Sequence, residues 1–154
     1  FLVIRHKSLD IFGPPPGHRS KFWTEEKTTH LTVEQLTDAI RRDWREETGK
    51  GYYITGNLNT TIFRDDCLFA GPDPDMPVQG LRKYLNAASQ LFERSQSRAE
   101  LLSLDVVQCG DDNIRVVVRW RMNGVLRLPW KPTLPEWTGS TTYHFDCDGL
   151  IYKH

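Results

Sequence analysis

Side chains able to move protons, hold a metal or attack carbon are few in this 154-residue sequence. The adjacent carboxylates Asp65 and Asp66 come first. A carboxylate at a pocket mouth can act as a base on a carbon acid. Neighbouring residues of a strand point to opposite faces, so at most one of the pair reaches a pocket. Hydrogen bonding to a bend or to nearby amides is the simpler use of both. Asp73 and Asp75 stand in a 71–77 stretch dense in Gly, Pro and Asp, which builds turns. His144 lies between Tyr143 and Phe145. If those two rings face the core, alternation sends the imidazole to the other side of the sheet. His154 is read as a partly exposed, non-catalytic histidine. Cys67, Cys109 and Cys147 are odd in number, widely spaced and without a histidine beside them. Buried free thiols are expected, rather than a zinc site, a disulfide framework or an activated nucleophile. The sequence thus shows no catalytic set, and no metal or cofactor is expected.

Binding features are better represented. Arg115, Arg119 and Arg121, with Arg127, form a basic stripe on one strand face. Such a stripe either pairs with acids of its own surface or docks a carboxylate-bearing partner, because guanidinium forks match carboxylates. Phe1, Phe12, Phe22 and Trp23 stand in a proline-interrupted segment and are expected to contact a partner protein. Lys plus Arg equals Asp plus Glu at 20 each, which argues against a nucleic-acid partner. No apolar run approaches about 18 residues, so no membrane-spanning helix is expected.

The elements that must position these residues follow from local pattern. Residues 1–30 form an extended, Pro-rich arm, because 13–17 is Gly-Pro-Pro-Pro-Gly and can continue neither helix nor ladder. The sequence opens on Phe1 rather than Met, which is read as a processed, trimmed or partial chain whose targeting peptide is out of view. Residues 31–154 form one domain. Thr32 with Gln35 makes a capping box, and Val33, Leu36, Ile40 and Trp44 recur at helical spacing, with Gly49 and Gly51 ending the helix. A strand over 60–69 is expected to break or bend at Asp65-Asp66. A second helix opens near Pro77 and carries Leu81, Tyr84, Leu85, Ala88 and Phe92 on one face. Strands follow, with Ile114, Val116, Val118 and Trp120 facing the helices and Arg115 and Arg119 facing away. Asn123-Gly124 predicts a two-residue hairpin turn. Pro129, Pro132 and Pro135 are expected to interrupt the return strand, making it an edge or bending it away, with Trp120, Trp130 and Trp137 around the bend in the core or at the cone rim. Segregated helices and antiparallel strands define an α+β domain.

Residues 32–154 resemble the nuclear transport factor 2-like superfamily, and within it an uncharacterised family of plant, algal and cyanobacterial proteins. The resemblance rests on Ile54-Thr-Gly56, the 62–69 stretch, Gly80-Leu81, Trp137-x-Gly139, and the run from Thr142 through Gly149-Leu-Ile151 to His154. It implies a cone of curved antiparallel sheet packed on helices around an apolar pocket. Trp44, Phe69, Trp120, Trp137 and Tyr143 are expected to line that pocket, with an apolar small molecule as a possible guest. Enzymatic members carry an acid before proline after the first strand; the matching position here is Gly71, with Asp73 two residues on. With Gly71 at the acid's position, the expected role is a non-enzymatic binding or accessory subunit. The apolar residues of the arm, which lies outside the resemblance, are expected to anchor it among the protein subunits of a larger assembly, and the family's distribution implies a plastid, photosynthetic setting. The alternatives are a small isomerase, dehydratase or cyclase using Asp65, Asp66 or Asp73, and a carrier of an apolar molecule.

Overall fold

The computed structural model describes residues 26–71, 75, 77–110 and 113–154. The expectations for Phe1, Phe12, Phe22 and Trp23, and for Asp73, fall outside the described residues. Helix α1 spans Val33–Trp44 and opens on the expected capping box: Thr32 Oγ1 accepts from Gln35 N, and the Gln35 side chain accepts from Thr32 N. Its apolar stripe buries Leu36, Ala39, Ile40 and Trp44. The stop differs from expectation. Arg45 itself takes the left-handed conformation, φ 46°, and its amide closes onto Arg41 and Arg42 carbonyls. Gly49 and Gly51 instead shape the path into α2, Tyr52–Thr55.

Strand β1 spans Phe63–Phe69 as one element, with its register against the last strand shifting between Phe63 and Leu68, the stretch of Asp65-Asp66, and the two-residue β2, Val78–Gln79, pairs with its end. Helix α3, Leu81–Leu91, follows, and the remaining strands are β3, Arg98–Gln108; β4, Ile114–Val125; β5, Thr133–Phe145; and β6, Ile151–Lys153. They form one curved six-stranded sheet in the order β2-β1-β6-β5-β4-β3. The sheet is mixed rather than wholly antiparallel: β6 lies parallel to β1. The helices cover its inner face, where Val116, Val118, Trp120, Met122, Tyr143 and Ile151 are buried. Arg119 and Arg121 stand exposed on the outer face, as their alternation predicts.

The hairpin expected at Asn123-Gly124 is not there. Both residues continue β4, with Asn123 opposite Arg98 and Gly124 opposite Leu134. Gly124 serves a close approach instead of a turn: a Cβ there would sit 2.5 Å from Ser97 Oγ and 3.1 Å from Phe92. The chain reverses further on, through 127–130. The expected break around Pro129, Pro132 and Pro135 is also smaller than predicted, because Pro135 lies inside β5. It is accommodated where the β4–β5 register shifts, four residues of β5 (134 to 137) matching three of β4 (124 to 122). There β5 is paired on one side only, since β6 reaches no further than His144.

Candidate functional site

The inner face of the cone holds a chain of hydrogen-bonded aromatic side chains drawn from four elements. Trp44, at the end of α1, donates its indole N–H to the Tyr143 hydroxyl of β5 at 3.1 Å. Tyr143 and Tyr52 of α2 share a bond at 3.0 Å, and the Tyr52 hydroxyl meets Nε2 of His154 just beyond β6. One orientation leaves no buried proton of this chain idle. Indole N–H can only donate, so Tyr143 accepts from Trp44, donates to Tyr52, and Tyr52 donates to Nε2. That fixes His154 as the neutral tautomer with its proton on Nδ1. Beside this relay Trp120 Nε1 donates to Thr141 Oγ1 at 3.0 Å, and Tyr53 bonds the same hydroxyl at 2.6 Å.

Burial keeps every member uncharged. Desolvation pushes the Tyr52, Tyr143 and Tyr84 phenols well above their usual range, and neighbouring phenols add to this. Desolvation also pushes the His154 imidazole down to about 3 and the Cys67 thiol up to about 12. A thiol at that value is not a nucleophile. Tyr84, from α3, stacks on Phe69 with ring centroids 3.7 Å apart, and its buried hydroxyl has no hydrogen-bond partner.

One carboxyl is poised for proton transfer at neutral pH. Asp43, beside Trp44 on α1, is partly buried and accepts a 2.8 Å bond from the Asn59 amide. Desolvation raises its pKa to about 7, against the amide bond and Arg45, which lower it. Sequence pattern could not mark it out, since Asp43 lies between Arg42 and Trp44 on an ordinary amphipathic helix. His154 was likewise read as partly exposed. Its backbone is, but its ring packs among Tyr52, Tyr143, Phe69 and Tyr84, with centroids 5.0–5.9 Å apart.

The carboxylates singled out from sequence lie elsewhere. Asp65 and Asp66 are both exposed; Asp65 pairs with Lys27 at 2.7 Å and Asp66 with Arg64 at 2.7 Å. Of the five residues expected to line a pocket, Trp44, Phe69, Trp120 and Tyr143 pack together in the core cluster. Trp137 is 41% exposed, lying edge-on to Trp120 at 5.6 Å. Trp130, expected at the core or the rim, is 63% exposed. Gly139 sits opposite Trp120, and a Cβ there would overlap the indole, which explains the glycine of the Trp137-x-Gly139 motif. Of the three free thiols only Cys67 is buried; Cys147 is exposed. Among the described residues no cluster of His, Cys, Asp or Glu could hold a metal ion.

A groove of about 380 Å³ opens between α1 and the far end of the sheet. Its walls are Leu31, Val33, Leu36, Ile114, Val116 and Phe145, and Asp146 and Asp148 stand at its rim. The segment leading into α1 runs past it: His30 N bonds Asp148 O at 2.9 Å, and Thr28 N bonds Thr61 O at 3.0 Å. Residues 27–30, expected to belong to the arm, are therefore tied to the domain's own surface.

A curved sheet wrapped on helices, with a helix-covered aromatic interior, is the nuclear transport factor 2-like fold. Solved structures similar to this chain carry it. They include a nuclear transport factor 2-like superfamily protein from Salmonella enterica serovar Typhimurium LT2, at 15% identity over 78% of this chain and 85% of that one, TM-score 0.52. A protein with a cystatin-like fold from Caulobacter vibrioides matches at 13% identity over 76% and 84%, TM-score 0.51. A protein provisionally assigned as a polyketide cyclase from Pseudomonas putida KT2440 matches at 14% identity over 80% and 89%, TM-score 0.50. The chain belongs to the family described as "Uncharacterized conserved protein (DUF2358)", whose model matches residues 34–154. No significant sequence match to a curated protein was found.

Proposed function

We propose that the chain is a non-enzymatic binding or accessory subunit of a larger protein assembly, with its cone serving as a packed scaffold. The observation that carries this reading is the neutral relay from Trp44 to His154. It fills the interior with groups that neither gain nor lose a proton near neutral pH. The groove beside α1 offers apolar walls to a partner's side chain or to a small apolar molecule. The reading keeps the plastid location that the family resemblance implies and the anchoring read from the arm's own apolar residues. Deleting residues 1–24 should leave a domain with a cooperative melt that no longer co-purifies with its assembly. Co-purification of the truncated chain at full yield would overturn the anchoring.

Asp43 favours a second reading, an isomerase, dehydratase or cyclase whose general base is this carboxyl, since bases poised near the working pH are efficient. The two readings part on one assay. On the first, Asp43→Asn, Asp65→Ala and Asp66→Ala change stability or assembly alone. On the second, the purified protein turns over a ketone or hydroxy substrate and loses about 100-fold or more on Asp43→Asn.

A further inference from the structure

The register of the sheet places three cationic or protonatable side chains in one line across its outer face. Arg115 of β4 stands directly opposite His144 of β5, and His144 directly opposite Lys153 of β6. Side chains so paired have Cβ atoms about 4.5–5.5 Å apart, and like charges there repel. A sequence shaped only for stability would alternate signs. The other end of the same face does so: Glu100 bonds Arg98 at 2.7 Å and Arg121 at 2.8 Å, with Glu136 at 4.0 Å from Arg121. Of the stripe read from sequence, Arg121 is therefore already satisfied within the chain.

Among the described residues, the acids near the line are engaged elsewhere. Asp66 pairs with Arg64. Asp146 accepts from the Asp148 and Leu150 amides of its own turn and lies 3.6 Å from Arg64. Asp105 stands one step along β3, opposite Val117, and takes the Ser103 hydroxyl at 3.4 Å. Arg115 Nε is buried without a hydrogen-bond partner, a costly state for a charged group's donor. Arg119 stands two positions along β4, exposed, with Ser103 and Ser140 on either side.

We propose that the line Lys153–His144–Arg115, extended by Arg119, docks an acidic segment of a partner protein. This deepens the reading of the chain as an accessory subunit and rests on it. Two strand spacings separate the outer members by about 10 Å, which is close to the roughly 9 Å between carboxylates three residues apart on one side of a polyproline II segment. Exposed Arg119 offers a guanidinium fork of the kind that carboxylates take. Burial, Arg115 and Lys153 together hold His144 below its usual pKa, so an acidic guest that screens those cations raises it. A second copy of the chain is the poorer occupant, since the acids at the other end of this face, Glu100 and Glu136, already face Arg121.

The test uses the whole chain and a labelled twelve-residue Glu-rich peptide, followed by fluorescence anisotropy at low salt and again at physiological salt. The double variant Arg115→Gln/Lys153→Gln should weaken binding about tenfold or more, while the charge-matched control Arg41→Gln/Arg42→Gln on α1 changes it less than about twofold. Peptide binding should also raise the His144 pKa seen by NMR. Equal losses in the two double variants, binding that leaves His144 unmoved, inorganic phosphate competing as strongly as the peptide, or self-association abolished by Arg115→Gln would each overturn the proposal. Turnover lost on Asp43→Asn would instead overturn the accessory-subunit reading alone, because Asp43 belongs to a helix on the opposite side of the sheet.

Discussion

On the inner face of the sheet, each large side chain is matched by what lies across from it: Trp120 by Gly139, and Tyr143 by the indole and phenol that bond its hydroxyl. On the outer face, Arg115, His144 and Lys153 are matched against one another. The same three strands build both rows, so backbone geometry is not the cause. The inner row has been shaped for stability, with polar atoms paired and charge excluded. In the outer row the Arg115 and Lys153 cations flank an imidazole that they and burial hold below its usual pKa, and among the described residues neither cation forms an ion pair; such local conflict is where function is expected. Tyr84 is the exception inside, a buried hydroxyl with no partner.

Substitutions that break the inner row should cost most. Trp44→Ala removes a fully buried indole together with a donor to Tyr143, and a loss of about 3–5 kcal/mol is expected by chemical denaturation. A loss below about 1 kcal/mol would show that the interior is loosely packed.

Two buried titratable groups should pull stability in opposite directions with pH. The Asp43 pKa of about 7 lies above its usual 3.8, so the folded chain keeps a proton that the unfolded chain releases. Its cost is absent below about pH 4 and grows as pH rises toward 7. The His154 pKa of about 3 lies below its usual 6.5, so its cost is absent above about pH 6.5 and grows as pH falls. Between those limits the two slopes oppose each other. Asp43→Asn, which keeps an acceptor for the Asn59 amide, should stabilise the chain at pH 8 and leave a melting temperature that falls steadily with acid. A variant whose profile matches the parent's would contradict the Asp43 assignment, and one whose melting temperature does not fall with acid would contradict that of His154.

The two phenols at the interior sharpen the comparison by sign. Tyr143→Phe strands the Trp44 N–H and should cost about 1–3 kcal/mol, whereas Tyr84→Phe removes an unpaired hydroxyl and should be neutral or slightly stabilising. A large loss on Tyr84→Phe would mean that its hydroxyl has a bound partner inside the cone. The smallest effect belongs to the outer row: Lys153→Gln should raise stability by a few tenths of a kcal/mol by relieving repulsion along the row.

What could be read from sequence and what could not divides along similar lines. The capping box at Thr32 and Gln35, the stripe from Leu36 to Trp44, and the β4 alternation were all visible, because period and local capping chemistry fix them. Asn123-Gly124 misled because a glycine needed for packing against Ser97 looks the same as one needed for a turn. Pro135 misled because a strand that is paired on one side tolerates a proline. Of the candidate site, the aromatic members were legible as apolar types, but the relay joining them was not. Trp44 and Tyr143 are 99 residues apart and Tyr52 and His154 are 102 apart, pairings that only the closed sheet creates. The cation row was half visible, since alternation gave Arg115 and Arg119, while His144 and Lys153 joined it only through register.

On the proposed reading the interior is a neutral, hydrogen-bonded scaffold and recognition belongs to the surface. Nitrogen-detected NMR of the His154 imidazole between about pH 4 and 9 tests it most directly. The expected result is one neutral tautomer throughout, with the proton on Nδ1 and Nε2 accepting from Tyr52. An imidazolium forming near pH 6.5, or a proton on Nε2, would show an interior that exchanges protons at working pH and would contradict the account.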